Sequence, residues 1–241
     1  MTSASLLPDV RDGGEVVESF AELGVLAFTT GRAAGSFGTA SQEPVAEVMA
    51  RWSALRTLVS GRNHRLGTAV QVHGSTIVRH EGGWTGWLRG ESADGHISVD
   101  GRTAMAVTVA DCVPVFIAHP SGAIAALHSG WRGTAARITD KAIALFTESG
   151  HAAADLRVHC GPAICGACYE VSADVYAQLT GTNPGKKTTI DLRAVIAGHA
   201  AAVGVREITV SPLCTKCDND RFFSHRAGDP GRQLGVIARV S

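Results

Sequence analysis

The segment Met105–Gly130, MAVTVADCVPVFIAHPSGAIAALHSG, is the part of this chain that indicates its fold most clearly. Three β-rich runs, Met105–Ala110, Val113–His119 and Ala123–His128, follow one another with only a few residues between them. The Pro-Ser-Gly that separates the last two runs is typical of a hairpin turn. The segment therefore predicts a block of neighbouring strands with antiparallel pairing.

Outside this block, short β-rich runs alternate with longer amphipathic stretches. The further predicted strands are Val16–Phe20, Val25–Thr30, Gly67–Val72, Thr76–His80, Leu156–Cys160, Ile208–Ser211 and Gly235–Val240. The predicted helices are Pro44–Ser60, Gly133–Ser149, Ser172–Leu179 and Leu192–Val203, and a loop rich in Gly, Ala and Ser covers Gly31–Ser41. This order predicts a mixed α/β fold with many antiparallel neighbours, as opposed to a regular doubly wound βαβ series.

The composition argues against several classes of partner. Lys+Arg and Asp+Glu both number 22, so no net charge attracts nucleic acid or an anionic membrane. No apolar run approaches the length of a membrane span, and Met1–Gly14 lacks the basic and apolar regions of a secretory signal. Six cysteines in 241 residues suggest reduced thiols with metal or catalytic uses. We expect a cytoplasmic protein that acts as a monomer or a weak homodimer.

Three residues with good metal-ligand side chains lie where apolar runs meet Gly or Pro turns. They are His73 in QVHG, Cys112 in ADCVP and His128 in LHSGWRG. Two imidazoles and one thiolate are enough for a catalytic zinc site, which typically keeps its fourth position open. An acid, a thiol and an imidazole gathered at strand ends are costly to leave unpaired. The pattern therefore favours an enzyme.

Five blocks of sequence, in order from about Gly67 to the C-terminus, carry a family resemblance. They are Gln71–Gly74, Ala110–Pro114, His128–Gly133, Cys160–Ile164 leading to Cys168–Val171, and Phe222–Arg226 with Gly231–Gln233. These blocks resemble the laccase-domain family, also called multicopper polyphenol oxidase or peptidoglycan editing factor. The resemblance implies a single domain over residues 1–241, built as a four-layer α/β/β/α sandwich with mixed sheets.

The same resemblance implies the metal and the activity. His73, Cys112 and His128 match the family's metal ligands, which implies zinc, with copper as the alternative metal. Members of the family are described as purine nucleoside phosphorylases with adenosine deaminase activity. The implied substrates are phosphate and a purine nucleoside: adenosine, inosine, guanosine or methylthioadenosine. The N-terminal part departs from the family pattern, because Thr29–Ser36 only approximates its Thr-Thr-Arg stretch and the following Asn motif is missing. Arg32 is therefore a weak candidate.

Several further side chains suit this chemistry. Arg132, Arg226 and Arg232 lie in glycine-rich turns, where guanidinium groups can bind phosphate bidentately. Trp131 offers an indole face on which a base can stack. Deamination needs a water made nucleophilic near neutral pH and a group that moves protons, for which Asp111 and Asp94 are the candidates.

Alternative functions use the same residues. A copper-dependent polyphenol oxidase needs several His-x-His pairs for its copper cluster, and the chain contains no His-x-His. A cysteine hydrolase would use Cys112 as nucleophile, with His128 or His73 as its base. Peptidoglycan-precursor editing is a further activity that the resemblance allows.

A non-catalytic alternative concerns the other cysteines. Cys165-x-x-Cys168 and Cys214-x-x-Cys217 could form a structural zinc knot. The 45 residues between the two pairs (169–213) far exceed ordinary zinc-ribbon spacing. Cys160 at a strand end and Cys168 before Tyr169 are better explained as residues that line or support the pocket.

Overall fold

The computed structural model describes residues 11–39, 43–59 and 65–240. Three predictions fall on residues outside these ranges. They concern residues 1–10 of the N-terminal segment, residues 40–41 at the end of the predicted loop, and Ser60 as the end of the first predicted helix. None of the helices in the described part of the chain combines the length and hydrophobicity needed to span a bilayer.

The described residues form short strands and five α-helices. The strands are β1 (Glu15–Val16), β2 (Val25–Thr29), β3 (Arg65–Ala69), β4 (Ile77–Arg79), β5 (Gly86–Gly90), β6 (Gly95–Ser98), β7 (Thr103–Val109), β8 (Val113–Ala118), β9 (Ile124–Ser129), β10 (Arg157–Cys160), β11 (Glu170–Val171), β12 (Thr188–Thr189), β13 (Glu207–Val210) and β14 (Gln233–Arg239). The helices are α1 (Val45–Val59), α2 (Trp131–Ala135), α3 (Ile138–Glu148), α4 (Ala173–Thr180) and α5 (Leu192–Ala202).

Two six-stranded mixed sheets contain most of these strands. The first has the order β1-β2-β14-β7-β3-β5, and only its β7-β3 and β3-β5 pairs are parallel. The second has the order β13-β10-β8-β9-β6-β4, and only its end pairs, β13-β10 and β6-β4, are parallel. The predicted mixed α/β fold with antiparallel neighbours is confirmed, and so is the hairpin between β8 and β9.

Three hydrophobic cores order the layers, because successive strand residues point to opposite faces of a sheet. Met105 and Val107 of β7 pack with Phe116 of β8 in the core between the two sheets. Ala104 and Ala106 of β7 face the other way, into the core that contains α1. Val113, Val115 and Ile117 of β8 face a core shared with α3 and α5. The layers therefore run from α1 through the first and second sheets to α3 and α5.

Two predicted elements differ from the structure in type or continuity. The predicted strand Val16–Phe20 is wrong beyond Val16: a 3-10 helix, Glu18–Leu23, follows and buries Phe20 between the sheets. The predicted helix Gly133–Ser149 is split into α2 and α3, because Arg137 adopts a left-handed conformation with φ 61°. Arg137 also forms an ion pair of 2.7 Å with Asp140 in the first turn of α3.

Four strands were missed by the sequence patterns, namely β5, β6 and the two-residue strands β11 and β12, and one predicted strand was displaced. Strand β6 is fully buried yet contains His96 and Ser98, so it lacks an apolar run. Strand β5 is an edge strand whose residues are all partly or fully exposed, which leaves no alternating pattern. The predicted strand Gly67–Val72 lies instead at Arg65–Ala69, and the exposed Val70 and Val72 belong to the loop that leads to His73.

Candidate metal centre

His73, Cys112 and His128 converge in the structure, and their ligand atoms all lie within 4.8 Å of one another. His128 is the last but one residue of β9, and Cys112 occupies the turn between β7 and β8. Because β8 and β9 pair with Pro114 opposite His128, the turn holds Cys112 next to that histidine. His73 comes from the loop after β3, and its ring centroid lies 4.8 Å from that of His128. We call these three residues the His2Cys centre.

Asp94 lies behind the centre and holds two of its residues in position. Its Oδ1 accepts hydrogen bonds from His128 Nδ1 at 2.7 Å and from the backbone N–H of His73 at 2.9 Å. Its Oδ2 accepts backbone N–H bonds from Gly74 at 2.7 Å and Val72 at 3.2 Å. The carboxylate is fully buried. A carboxylate that accepts from one ring nitrogen of a histidine leaves the other nitrogen for a metal and sets the orientation of the ring.

The backbone around the centre is strained. His73 has φ 58° and Asp111, next to Cys112, has φ 80°, both in the left-handed region that non-glycine residues rarely adopt. Each such residue costs on the order of 1 kcal/mol and persists only when the surrounding structure enforces it. The hydrogen bonds to Asp94 enforce it at His73. Strain of this kind is common at functional sites.

Gly130 lies directly beside the His2Cys centre, and its missing side chain leaves a small gap there. A Cβ atom placed on Gly130 would lie 2.9 Å from Cys112 Sγ and 3.4 Å from His73 Cδ2. The backbone at this position therefore approaches the ligands too closely for any side chain. The absent side chain leaves room beside the thiol.

The charges of the centre are coupled. Burial by itself would raise the pKa of the Cys112 thiol, but the adjacent His128 and hydrogen bonds from His128 and His73 lower that pKa to about 6. Burial by itself would lower the pKa of His128, but the Cys112 thiolate and Asp94 raise it to about 9. Burial likewise opposes ionisation of Asp94, but hydrogen bonds from His128 and the backbone hold its pKa below the usual value. The centre therefore favours a thiolate close to neutral pH.

These observations fit a metal ion. Thiolate sulfur and imidazole nitrogen are typical zinc ligands, and three protein ligands leave a position open for a substrate. The thiol that ionises readily, the oriented His128 ring and the gap at Gly130 all suit a cation at this point. Copper also accepts this donor set.

The His2Cys centre opens into a cavity of about 550 Å³, within the usual size range of small-molecule sites. All of the predicted site residues line this cavity except Asp94, which lies behind His128. The predicted residues that line it are His73, Asp111, Cys112, His128, Trp131, Arg132, Arg226 and Arg232. Residues from both sheets and from the loop after β13 therefore meet here, as the sequence blocks predict.

Aromatic side chains form one wall of the cavity. Trp52 of α1 stacks on Trp87 of β5, with ring centroids 4.7 Å apart. Phe37 packs edge-on against Trp52 at 5.6 Å. All three residues line the cavity. Sequence reasoning missed this wall, because β5 was not predicted and Trp52 follows the ordinary pattern of a core-facing helix residue.

Four arginines give the cavity a positive character. Arg132, Arg226 and Arg232 are joined by Arg89, which the sequence analysis missed together with β5. The guanidinium of Arg132 lies 4.3 Å from the ring centroid of Trp131, and that of Arg226 lies 5.2 Å from the ring centroid of Tyr169. Tyr169 also lines the cavity. It stands in a block quoted for the family resemblance but had no predicted role.

The remaining candidates have other partners. Asp111 accepts hydrogen bonds from Thr215 Oγ1 at 2.6 Å and from the backbone N–H of Arg226 at 2.6 Å, so each carboxylate oxygen holds a neighbouring loop. Arg32 does not line the cavity. It forms an ion pair of 2.7 Å with Asp229 and a hydrogen bond of 3.0 Å to the Phe222 carbonyl, and so ties the N-terminal part to the C-terminal loop.

Known proteins that are similar in sequence to this chain support the resemblance seen in its sequence blocks. A family profile described as multi-copper polyphenol oxidoreductase laccase matches residues 30–240. A purine nucleoside phosphorylase of Streptomyces griseus is 31% identical over 175 residues, which cover 69% of this chain and 71% of the relative. A purine nucleoside phosphorylase of Deinococcus radiodurans is 33% identical over 207 residues, which cover 80% of this chain and 77% of the relative.

The structural comparison gives the same fold. The crystal structure of the hypothetical protein YfiH of Bacillus licheniformis matches with a TM-score of 0.84 at 24% identity. The match covers 93% of this chain and 96% of that chain. The resemblance seen in the five sequence blocks is therefore confirmed. Since the profile matches far more than half of its residues, this chain belongs to the multi-copper polyphenol oxidoreductase laccase family.

Proposed function

We propose that this protein is a purine nucleoside phosphorylase whose His2Cys centre holds a zinc ion. The observation that carries the proposal is the cavity, in which that centre meets four guanidinium groups and an aromatic wall. Phosphate, ribose and purine need respectively cationic, polar and aromatic surroundings. This chain covers about 70% or more of the length of relatives that are named purine nucleoside phosphorylases. Their names support the same activity for this protein.

In phosphorolysis an oxygen of inorganic phosphate forms a bond to C1′ of the ribose while the bond from C1′ to the base breaks. The base leaves with the electron pair and takes up a proton. Guanidinium groups at Arg132, Arg226 and Arg232 would hold the phosphate and keep its charge close to the developing positive charge on the ribose. Zinc, when bound by His73, Cys112 and His128, would supply Lewis-acid polarisation.

The two acidic candidates are assigned to positioning. Asp94 is fully buried and its oxygens accept four hydrogen bonds, so it orients His128 and the His73 loop. Asp111 holds Thr215 and the backbone of Arg226. Asp94 does not line the cavity, so this positioning role replaces the role as acid or base that the sequence suggested for it. Asp111 does line the cavity and stays a candidate for that role beside its positioning contacts.

The test is an assay of adenosine, inosine and guanosine with and without inorganic phosphate, with products separated by chromatography. We expect free base and ribose 1-phosphate only when phosphate is present. Arg226→Ala is expected to raise the KM for phosphate while leaving the zinc content unchanged, because Arg226 touches the cavity and not the His2Cys centre. Arg79→Ala, a change at an exposed arginine on β4 that does not line the cavity, serves as the matched control.

Adenosine deaminase activity is a separate part of the proposal. The same assay detects it, because deamination converts adenosine to inosine without phosphate. Absence of base release under all conditions would contradict the phosphorylase assignment. Inosine formed from adenosine without phosphorolysis would leave deamination as the activity of the cavity.

A cysteine hydrolase is the second candidate, because Cys112, His128 and Asp94 also have the order of a nucleophile, a base and a carboxylate that orients the base. His73 distinguishes the two functions. His73→Ala removes one metal ligand and leaves the other three side chains in place. Activity that disappears together with the metal supports the phosphorylase, whereas activity retained by metal-free His73→Ala supports the hydrolase.

Oxidase chemistry with several coppers has less support. Among the described residues, the two clusters of potential metal ligands are the His2Cys centre and a group of four cysteines, and neither contains more than two histidines. A trinuclear copper cluster needs many more imidazoles. Copper in the His2Cys centre would bind as a single ion.

A further inference from the structure

Four cysteines outside the proposed active centre come together at one edge of the second sheet. Strands β10 and β13 are parallel neighbours, so their carboxyl ends lie at the same edge. The loop after β10 carries Cys165 and Cys168, and the loop after β13 carries Cys214 and Cys217. The topology thus closes the 45-residue gap that made this pairing look improbable from spacing alone. We call these four residues the tetracysteine cluster.

Backbone hydrogen bonds join the two loops directly. The N–H of Thr215 donates to the Ala163 carbonyl at 3.1 Å, and the N–H of Ser211 donates to the Cys160 carbonyl at 2.8 Å. Arg193 of α5 is buried and donates to the carbonyls of Ser211 and Leu213, each at 2.8 Å. The position of the cysteine loops is therefore fixed by the fold.

The sulfur atoms have the spacing of a tetrahedral metal site. All four Sγ atoms lie within 4.8 Å of one another, and those of Cys168 and Cys217 are 3.5 Å apart. A zinc ion with Zn–S bonds of about 2.3 Å holds its sulfurs roughly 3.8 Å apart. All six cysteines of the chain are free thiols. The cluster therefore offers four sulfur ligands around one point.

The backbone around the cluster also suits bound thiolates. The N–H groups of Cys165 and Cys217 point at Cys214 Sγ, at 3.3 Å and 3.4 Å. Hydrogen bonds from the backbone to a ligand sulfur reduce its charge and fix its direction. The two N–H groups come from different loops, and both point at the Sγ atom of the buried Cys214.

We propose that the tetracysteine cluster binds a structural zinc ion, separate from the ion of the His2Cys centre. Four protein ligands close the coordination shell, so this ion has no position for a substrate and acts through the fold. Its position indicates what it stabilises. Thr215, next to Cys214, donates to Asp111, and the N–H of Ile164, next to Cys165, donates to the Asp111 carbonyl at 3.1 Å. The zinc ion would brace the loops that hold Asp111 beside Cys112.

The test measures zinc per chain after the intact protein is saturated with Zn²⁺ and desalted. We expect two zinc ions in the unmodified protein, one for each cluster. The Cys168→Ser/Cys217→Ser double variant changes two partly or fully exposed thiols, one from each loop, and is expected to retain one. His73→Ala is expected to retain only the zinc ion of the tetracysteine cluster. Cys160→Ala, which removes a cysteine that belongs to neither cluster, is the matched control and keeps both.

A second measurement avoids changes to the four cysteines, in case the double variant folds poorly. Co²⁺ is added to the His73→Ala protein, in which the tetracysteine cluster is intact. Cobalt bound by four sulfurs gives intense tetrahedral ligand-field bands and a sulfur-to-cobalt charge-transfer band. We expect these bands to appear and then to be lost when added Zn²⁺ displaces the bound Co²⁺. Co²⁺ that binds without the sulfur band would overturn the proposal.

Two other outcomes would also overturn it. Zinc content that is unchanged in the double variant shows that the cluster binds no zinc. Thiol titration of the denatured, unreduced protein after purification without reductant provides the other check. If it finds the four cluster thiols already oxidised, the cluster consists of two disulfides. Because these readouts need no substrate, the proposal stands or fails independently of the phosphorylase assignment.

Discussion

At the residue scale, the buried carboxylate of Asp94 orients His128, one of the proposed metal ligands. Its hydrogen bond to His128 Nδ1 fixes which ring nitrogen faces Cys112. Asp94→Asn keeps the shape but removes the negative charge. We expect metal affinity to fall about 10- to 100-fold, the usual effect of losing the carboxylate partner of a metal-binding histidine. Competition with a chromophoric chelator measures the change.

The control for this prediction is Asp174→Asn, which removes the charge of an exposed carboxylate on α4. It should leave zinc affinity at the unmodified value. Circular dichroism of both variants checks that the fold persists. An affinity in Asp94→Asn equal to that of the control would contradict the positioning role of Asp94.

The gap at Gly130 leads to a second prediction at this scale. In Gly130→Ala the new methyl group would lie 2.9 Å from Cys112 Sγ, so the thiol must move away from the histidines. We expect loss of zinc from the His2Cys centre and at least a tenfold loss of phosphorolysis. Gly198→Ala, at a helix position with open space around it, is the control and should retain both properties. Full zinc content in Gly130→Ala would contradict the steric role of Gly130.

At the element scale, one close contact joins the two sheets next to the centre. Gly235 of β14 faces Pro114 of β8, and a Cβ atom at position 235 would lie 2.7 Å from Pro114 Cβ and 3.0 Å from Phe116 Cζ. The proline ring and the buried Phe116 cannot rotate away. Gly235→Ala therefore has to push the two sheets apart.

We expect Gly235→Ala to lower the free energy of unfolding by about 1–3 kcal/mol, the usual cost of overpacking a core. Urea denaturation measures this loss. Because Pro114 is two residues from Cys112, zinc affinity should fall as well. A variant as stable as the unmodified protein would show that the sheets tolerate a wider spacing.

Element prediction from sequence was most accurate where strands are apolar and least accurate where they are polar. Strands β7, β8 and β9 were predicted because both of their faces are buried in hydrophobic cores. Strand β6 was missed because the polar residues His96 and Ser98 occupy buried positions, where hydrogen bonds of their side chains offset part of the cost of burial. His96 Nδ1 lies 3.0 Å from Nε2 of His80, and Ser98 Oγ donates to Asp100 at 2.7 Å.

At the scale of the whole molecule, the His80–His96 pair makes stability depend on pH. Burial is the main cause that lowers the pKa of His80 to about 4 and that of His96 to about 3. The charge of Arg65 lowers the pKa of His80 further, whereas the charge of Asp100 opposes this shift. The charge of Asp94 opposes the shift in the pKa of His96. In the unfolded chain both groups have their ordinary pKa near 6.5. Below that value the unfolded state binds protons that the folded state does not.

The free energy of unfolding should therefore be fully retained above pH 6.5 and fall as the pH drops towards 4. The expected loss is on the order of 2 kcal/mol for each histidine near pH 4.5. Urea titrations at pH 7.5 and 5 measure it. His80→Gln should show a smaller difference between these two pH values. Equal differences in the variant and the unmodified protein would contradict this explanation.

Sequence patterns were enough to predict the mixed α/β class, the strand-rich middle and the three residues that converge in the His2Cys centre. Apolar periodicity reports on burial, and His73, Cys112 and His128 stand at turns beside strand-like runs, where the chain gives side chains access to a cavity. Only the folded chain shows that Asp94 orients His128, that Trp52 and Trp87 form a wall and that two distant cysteine pairs meet. These relations join residues far apart in the chain, and their physical cause is the pairing and packing of strands, which a local pattern does not encode.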